Sequence, residues 1–433
     1  MIGSPADLHR FETDFGPHVL IVDGSRVYAI DPALGHEIDG AASAGREAVR
    51  ALLSSQGFAD TVFMRETELR DPPLRSLSLA VAQKCNLGCQ YCYAQGGGFG
   101  GPEKAMPWAV AEASVRRLFG QARPGERVNL AFLGGEPLTN RPVVRRATEL
   151  AVRIAAERGV PVGFAITTNG TLLRPDDAEF FAGHAFAVTV SLDGVGEVHD
   201  RLRPFKSGRG SYGTVIERIK PLLERQGAMQ VSARVTVTPR NLGLRDTLDR
   251  FVELGFESVG FSPMLSSPAG SAQLDEPDLD VLLAEMIACG REFERRVVAG
   301  QRYPFANMRS AMQEIHRGTH RPYPCGAGAG YFGVSADGGL FACHRFVDDP
   351  AGAMGHVETG VDRDVQRRWL AERAVDRQEP CRSCWARYLC GGGCHHEVIH
   401  RGRPACDLIR GWLHYCLQAY VNLQERCPEL FTS

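Results

Sequence analysis

Ten of the thirteen cysteines in this 433-residue chain fall into two spacing patterns. Cys85, Cys89 and Cys92 read C-x3-C-x2-C, and a second group runs through Cys325, Cys343, Cys381, Cys384, Cys390, Cys394 and Cys406. Three thiolates in one short loop can hold one corner of a [4Fe–4S] cube, which ordinarily takes four cysteines, so one iron stays open to a further ligand. A zinc loop of the C-x2-C type needs a fourth protein ligand to close its tetrahedron and is the competing reading.

Thirteen cysteines point to metal ligation or reactivity in a chain expected to be cytoplasmic, because disulfides are rare where thiols stay reduced. That expectation rests on two features: no N-terminal charged-then-apolar segment, and no run of about 18 apolar residues. The formal net charge of −2, from 49 basic and 51 acidic residues, offers no basic field for nucleic acid. Neither nucleic acid nor membrane is an expected partner.

Three blocks are expected: residues 1–75, 76–310 and 311–433. In the first, apolar runs at 18–22 and 26–30 flank Asp23-Gly24, a hairpin signal, and a helix follows over 45–53. Arg70-Asp-Pro-Pro-Leu74 reads as a linker.

In the second block, short apolar runs alternate with helical patterns, the rhythm of βα units on a parallel sheet. The fold class is therefore α/β, a partial (β/α)6 barrel with strands near 77–81, 128–133, 162–167, 186–191, 231–237 and 258–261. In such barrels the site lies at the C-terminal strand ends. The residues found there are the three-cysteine loop, Gly134-Gly-Glu-Pro137, Thr168-Asn-Gly170 and Ser191-Leu-Asp-Gly194. On the fifth strand Ser232, Arg234, Thr236 and Thr238 share one face, and an arginine inside a barrel calls for an anion.

The loop Cys85-Asn-Leu-Gly-Cys-Gln-Tyr-Cys92 resembles the signature of the radical S-adenosylmethionine enzymes. The resemblance implies that Cys85, Cys89 and Cys92 hold a [4Fe–4S] cluster whose open iron chelates S-adenosylmethionine, cleaved to a 5′-deoxyadenosyl radical. It also implies cofactor contacts from Tyr91, Gly134, Gly135, Glu136, Thr168, Asn169, Ser191, Asp193 and Arg234, with Arg234 on the carboxylate. The loop Asp200–Tyr212 is similar to one in peptide-modifying members, where its basic residues could steer an acidic peptide; a solvated charge run is the plainer reading.

The third block is similar to the SPASM domain in cysteine number, cysteine order and the glycine at 338. The resemblance implies two auxiliary [4Fe–4S] clusters, for three in all. Cys325, Cys343 and Cys394 would hold the first, with a fourth ligand absent or supplied by substrate; Cys381, Cys384, Cys390 and Cys406 would hold the second. Cys416 competes with Cys406 for the last place, and zinc competes for Cys381 to Cys394.

Taken together, the motifs resemble maturases of ribosomally made peptides, in particular those of six-cysteine peptides and of the quinohemoprotein amine dehydrogenase small subunit. The implied activity is an intramolecular cysteine thioether cross-link. Carbon–carbon or ether cyclophane formation, epimerisation and formylglycine formation are alternatives, and a non-catalytic iron–sulfur carrier is the alternative of another class. The implied partners are a precursor peptide with a leader segment and a flavodoxin- or ferredoxin-type reductant. The first block is similar to the peptide-recognition modules fused to such enzymes, where an exposed strand edge at 18–22 or 26–30 would take the leader as an added strand.

Overall fold

The computed structural model describes residues 8–57, 71–268, 270 and 272–432. The chain divides into two compact units. One comprises Met1–Arg70, Leu279–Cys325 and Leu370–Ser433, and the other Asp71–Asp278 and Gly326–Trp369.

The N-terminal segment folds as β1 (Leu8–Thr13), β2 (Gly16–Ile21) and β3 (Arg26–Ala29), then α1 (Pro32–Ala44) and α2 (Arg46–Ser55). The expected hairpin is β2–β3. Ahead of it stands β1, unread because Leu-His-Arg-Phe-Glu-Thr carries few apolar residues. Helix α1 was also unread; Pro32 opens it, and the Asp31 side chain caps it by accepting from Leu34 N at 2.8 Å. The sheet order is β1–β2–β3, so 18–21 is paired on both sides and cannot serve as an open edge, while among the described residues β3 pairs on one side. The linker read at 70–74 lies outside the described residues at Arg70.

The second unit carries the barrel. Its strands are β4 (Ser76–Gln83), β5 (Lys104–Ala105), β6 (Val128–Gly134), β7 (Val162–Thr168), β8 (Ala187–Ser191), β9 (Gln230–Val237) and β10 (Ser258–Pro263). Between them lie α3 (Trp108–Gly120), α4 (Arg141–Arg158), α5 (Pro175–Gly183), α6 (Glu197–Leu202), α7 (Tyr212–Leu223) and α8 (Leu244–Glu253). Six strands pair in parallel in the order β4-β6-β7-β8-β9-β10, matching the expected βα rhythm. Helix α4 shows why the pattern holds: it buries Val143, Val144, Ala147, Leu150, Ala151 and Ile154 along one stripe, and Gly159 in the left-handed region ends it. Fully buried Phe132 and Phe186 stack, with Phe164 against Phe186 at 5.2 Å, each ring contributing roughly 1.5–3 kcal/mol by burial.

After α9 (Glu276–Val298) and α10 (Ala306–His316), the chain returns to this unit as β11 (Tyr331–Val334), β12 (Gly339–Phe341), β13 (Ala353–His356) and β14 (Gly360–Val361). These extend the barrel sheet: β11 lies parallel to β4, with Tyr331 opposite Ser76, and β12 to β14 follow antiparallel. Fully buried Gln83 ties this addition down, accepting from Ala336 N at 2.7 Å and donating to Asp348 Oδ2 at 2.6 Å.

The last helices are α11 (Arg363–Arg373), α12 (Arg387–Cys390), α13 (His395–Arg401) and α14 (Cys406–Arg426). Within the first unit α14 packs on β1, where Gln418 Nε2 reaches the Glu12 carbonyl at 2.8 Å, and the His9 ring stacks on Trp385 at 3.7 Å. Among the described residues no helix is long and apolar enough to cross a membrane.

Candidate active site and cluster-binding loops

Strand β4 ends at Gln83 and delivers the chain into the loop of Cys85, Cys89 and Cys92, three free, half-buried thiols. They lie close enough to act on one another electrostatically. Burial, chiefly, pushes Cys89 up to about 12 and raises Cys85, with Arg203 opposing in both cases. Thiols grouped and held neutral in this way become good ligands only when a positive centre offsets the cost of ionising them together.

The turn Gly134-Gly135 presses against the strand leading into that loop. A Cβ on Gly134 would lie 2.1 Å from the Ala82 carbonyl oxygen, and one on Gly135 would lie 2.2 Å from the Lys84 oxygen and 2.8 Å from Gly97 Cα. The glycines are thus demanded by the chain's own backbone. Glu136 follows, fully buried, with a carboxyl group that burial raises above the usual range. Its Oε1 accepts from Thr168 Oγ1 at 2.8 Å and Leu138 N at 3.1 Å, and its Oε2 from Asn169 N at 2.8 Å. The end of β6 is therefore tied to the end of β7.

Asn169 in turn donates from Nδ2 to Asn86 Oδ1 at 3.0 Å and approaches Cys85 Sγ at 3.7 Å, while Asn86 reaches Thr171 Oγ1 at 2.8 Å. Ser191 closes β8 opposite Arg234 on β9. Asp193 is fully buried: its Oδ1 accepts from Thr236 N at 2.8 Å, and its Oδ2 is taken by the Tyr91 hydroxyl and by Arg203 at 3.4 Å. Tyr91 and Asp193 thus bond to each other and to Arg203.

Arg234 stands on the inner face of β9 beside the half-buried Ser232 and Thr236, while Val231, Ala233, Val235 and Val237 face the helices. Its side chain is exposed, yet surrounding protein still lowers its guanidinium, as in an open concavity. Among the described residues no carboxylate pairs with it. The site's residues not read from sequence are Asn86, Thr171, His199, Arg203 and His344. His344 bonds Tyr331 at 2.7 Å and lies edge-on to Tyr93 at 5.9 Å; burial, then Arg345 and Arg234, hold it to about 4.

In the first unit Cys381, Cys384, Cys390 and Cys406 gather, each acting on others of the set, with Arg403 facing Cys381 and Cys406. Cys416 is apart, fully buried in the core of α14 and faced by Glu294. Cys325 and Cys394 belong to this unit and Cys343 to the other.

Residues 79–251 match the model of the radical SAM superfamily. The chain carries a radical SAM domain. The chain is 27% identical over 341 residues to the serine-type anaerobic sulfatase-maturating enzyme of Klebsiella aerogenes, covering 76% of itself and 81% of the relative. It is 25% identical over 349 residues to the cysteine-type enzyme of Clostridium novyi, covering 75% and 89%. Among solved structures, native anSMEcpe with bound AdoMet superposes with a TM-score of 0.68 at 19% identity, over 82% of this chain and all of that one. SuiB of Streptococcus suis bound to precursor peptide SuiA superposes with a TM-score of 0.55 at 15% identity, over 93% and 97%. At those identities the radical SAM fold is what the two structures share with this chain.

The residues present fit a cluster in the first loop. Three grouped thiols, no fourth protein ligand in the loop and Gly97 backing it form a three-ligand cradle; a Cβ on Gly97 would sit 2.9 Å from Cys85 N.

Proposed function

We propose that this enzyme modifies a ribosomally synthesised peptide or protein by abstracting a hydrogen atom and closing a cysteine sulfur-to-carbon bond. The observation that carries the reading is a second set of grouped thiols, Cys381, Cys384, Cys390 and Cys406, in addition to the three-cysteine loop. Hydrogen abstraction alone needs one cluster; a two-electron oxidation of substrate needs somewhere to send the second electron. When bound, S-adenosylmethionine and the clusters supply hydrogen-atom abstraction and an acceptor for that electron.

The chain's own residues then divide the work. Cys85, Cys89 and Cys92 hold the cluster; Arg234 pairs with the cofactor carboxylate; and the backbone at Gly134 and Gly135, with Thr168, Asn169 and Ser191, lines the cofactor's approach. Cys381, Cys384, Cys390 and Cys406 hold an auxiliary cluster within the first unit. For a leader segment, residues 8–55 form a recognition module whose β3 edge at Arg26–Ala29 pairs on one side and is short enough to resist self-association. A flavodoxin- or ferredoxin-type protein supplies electrons.

The sulfatase-maturating relatives favour a second reading, oxidation of a cysteine or serine to an aldehyde. The match to SuiB, whose structure holds a precursor peptide, supports a peptide as the substrate. Product chemistry separates the two. Anaerobic incubation of reconstituted, reduced enzyme with cofactor and candidate peptides should remove two hydrogens and one titratable thiol per turnover, with Cys89→Ala inert. A product that reacts with a hydrazide points instead to the aldehyde.

A further inference from the structure

The basic stretch 200–212, read from sequence as a solvated charge run or a steering loop, keeps residues 206–209 exposed but pairs its backbone with the cysteine loop. Pro204 O accepts from Gly88 N at 2.8 Å, Lys206 N donates to Asn86 O at 3.2 Å, and Leu87 bridges Phe205 antiparallel. The loop 203–209 is therefore a strap across the three-cysteine loop, two backbone hydrogen bonds wide. Asp200 holds its far end by accepting from Tyr212 N at 2.7 Å, and His199 bonds Ser211, whose hydroxyl donates to Arg203 O at 2.6 Å.

Arg203 lies beneath the strap with its side chain 11% exposed. Its Nη1 reaches the Tyr91 hydroxyl and Asp193 Oδ2, while its Nε is buried with no hydrogen-bond partner among the described residues. The Tyr91 ring packs with Leu202, Met264 and Cys89, so the guanidinium grips the middle of the cysteine loop. This cation acts electrostatically on both Cys85 and Cys89.

We propose that Arg203 is a positioning residue for the cluster loop: clamped between Tyr91 and Asp193, it fixes a positive charge beside Cys85 and Cys89 and so raises the reduction potential of the cluster they bind. The inference rests on the reading of Cys85, Cys89 and Cys92 as cluster ligands. A fixed cation in a poorly screened site favours the more negative, reduced state, and cluster potentials respond to local charge and hydrogen bonding. Lysine in this place keeps the charge and loses the forked geometry.

The test is an EPR-monitored redox titration of the reconstituted full chain, following the signal that S-adenosylmethionine perturbs, with iron content measured alongside. Arg203→Gln should shift the reduction equilibrium of that cluster against reduction by about tenfold, about 59 mV for one electron. Arg203→Lys should restore the wild-type potential. Wild-type potential in fully loaded Arg203→Gln, or an equal shift in Arg203→Lys, overturns the proposal. If Arg203→Gln does not load iron, Arg203→Lys and Tyr91→Phe decide: both keep the charge, so both should hold the wild-type potential, and Tyr91→Phe should exchange the Gly88 amide faster. A tenfold shift in either refutes the assignment. A wild-type protein with full iron and no signal that the cofactor perturbs removes the cluster reading itself, and the inference with it.

Discussion

Gly135→Ala tests whether the glycines of the 134–135 turn serve the chain's own packing. The added Cβ would lie 2.2 Å from Lys84 O, 2.5 Å from Lys84 C and 2.8 Å from Gly97 Cα, all backbone atoms with no rotamer to relieve them. Ordinary contact begins near 3.4 Å, so the two segments must part by more than 1 Å. Glu136 N donates to Lys84 O at 2.9 Å and Gly135 N to Ala82 O at 2.8 Å; a shift that large breaks the first of these. Overpacking costs about 1–3 kcal/mol, and a buried amide left without its acceptor costs about 1–3 kcal/mol more. The expected loss is about 2–6 kcal/mol, a large part of a typical total of about 5–15 kcal/mol. Chemical denaturation of the metal-free protein, read as a midpoint at constant slope, measures it. Gly213→Ala is the control: that helical glycine is exposed with nothing within 4 Å of an added Cβ, so its midpoint should hold or rise. A Gly135→Ala midpoint equal to that of Gly213→Ala would refute the packing argument.

Arg234→Gln should leave iron loading intact and weaken S-adenosylmethionine binding about ten- to hundredfold by anaerobic calorimetry, the worth of one charge-assisted contact; an unchanged Kd removes Arg234 from the cofactor site. Cys406→Ala should lose one cluster's worth of iron while Cys416→Ala keeps full iron, and the opposite pattern would exchange their roles. His199 is fully buried and is held to about 3, first by burial and then by Arg203, below the 6.5 of free imidazole. With the folded value below the unfolded one, the unfolded chain takes the proton first. The stabilisation is whole above about pH 6.5 and falls as pH drops towards 3, by about 2 kcal/mol at pH 5. His199→Asn should flatten that part of the stability–pH curve by about the same amount, and an unaltered curve counts against the buried neutral imidazole.

The six barrel strands were legible because β-branched runs and glycine-rich turns are local signals, and the polar residues at their ends came with them. Partnerships across long separations were not. The Arg203 contact with Tyr91 spans 112 residues, and nothing in the pattern around position 203 distinguishes it from the exposed Arg201 and Arg209 nearby. Gly134 and Gly135 were read as making room for a ligand because a glycine pair shows only that space is short, not which neighbour fills it. Likewise β11 is four residues long, too short for alternation to announce that it completes the edge of β4.

That pairing of β4 with β11 has a consequence in time. The two strands are separated by about 250 residues, roughly 10–50 s of ribosomal synthesis at about 5–20 residues per second. Until β11 emerges, β4 waits with one edge unpaired, and seven of its eight residues are buried in the finished sheet. A nascent chain in that interval carries an apolar, hydrogen-bond-hungry edge next to three cysteines. Slower elongation lengthens the exposure while cooler growth weakens the aggregation, so the yield of intact protein should depend on holdase chaperones and on oxygen during synthesis more than on the stability of the completed fold.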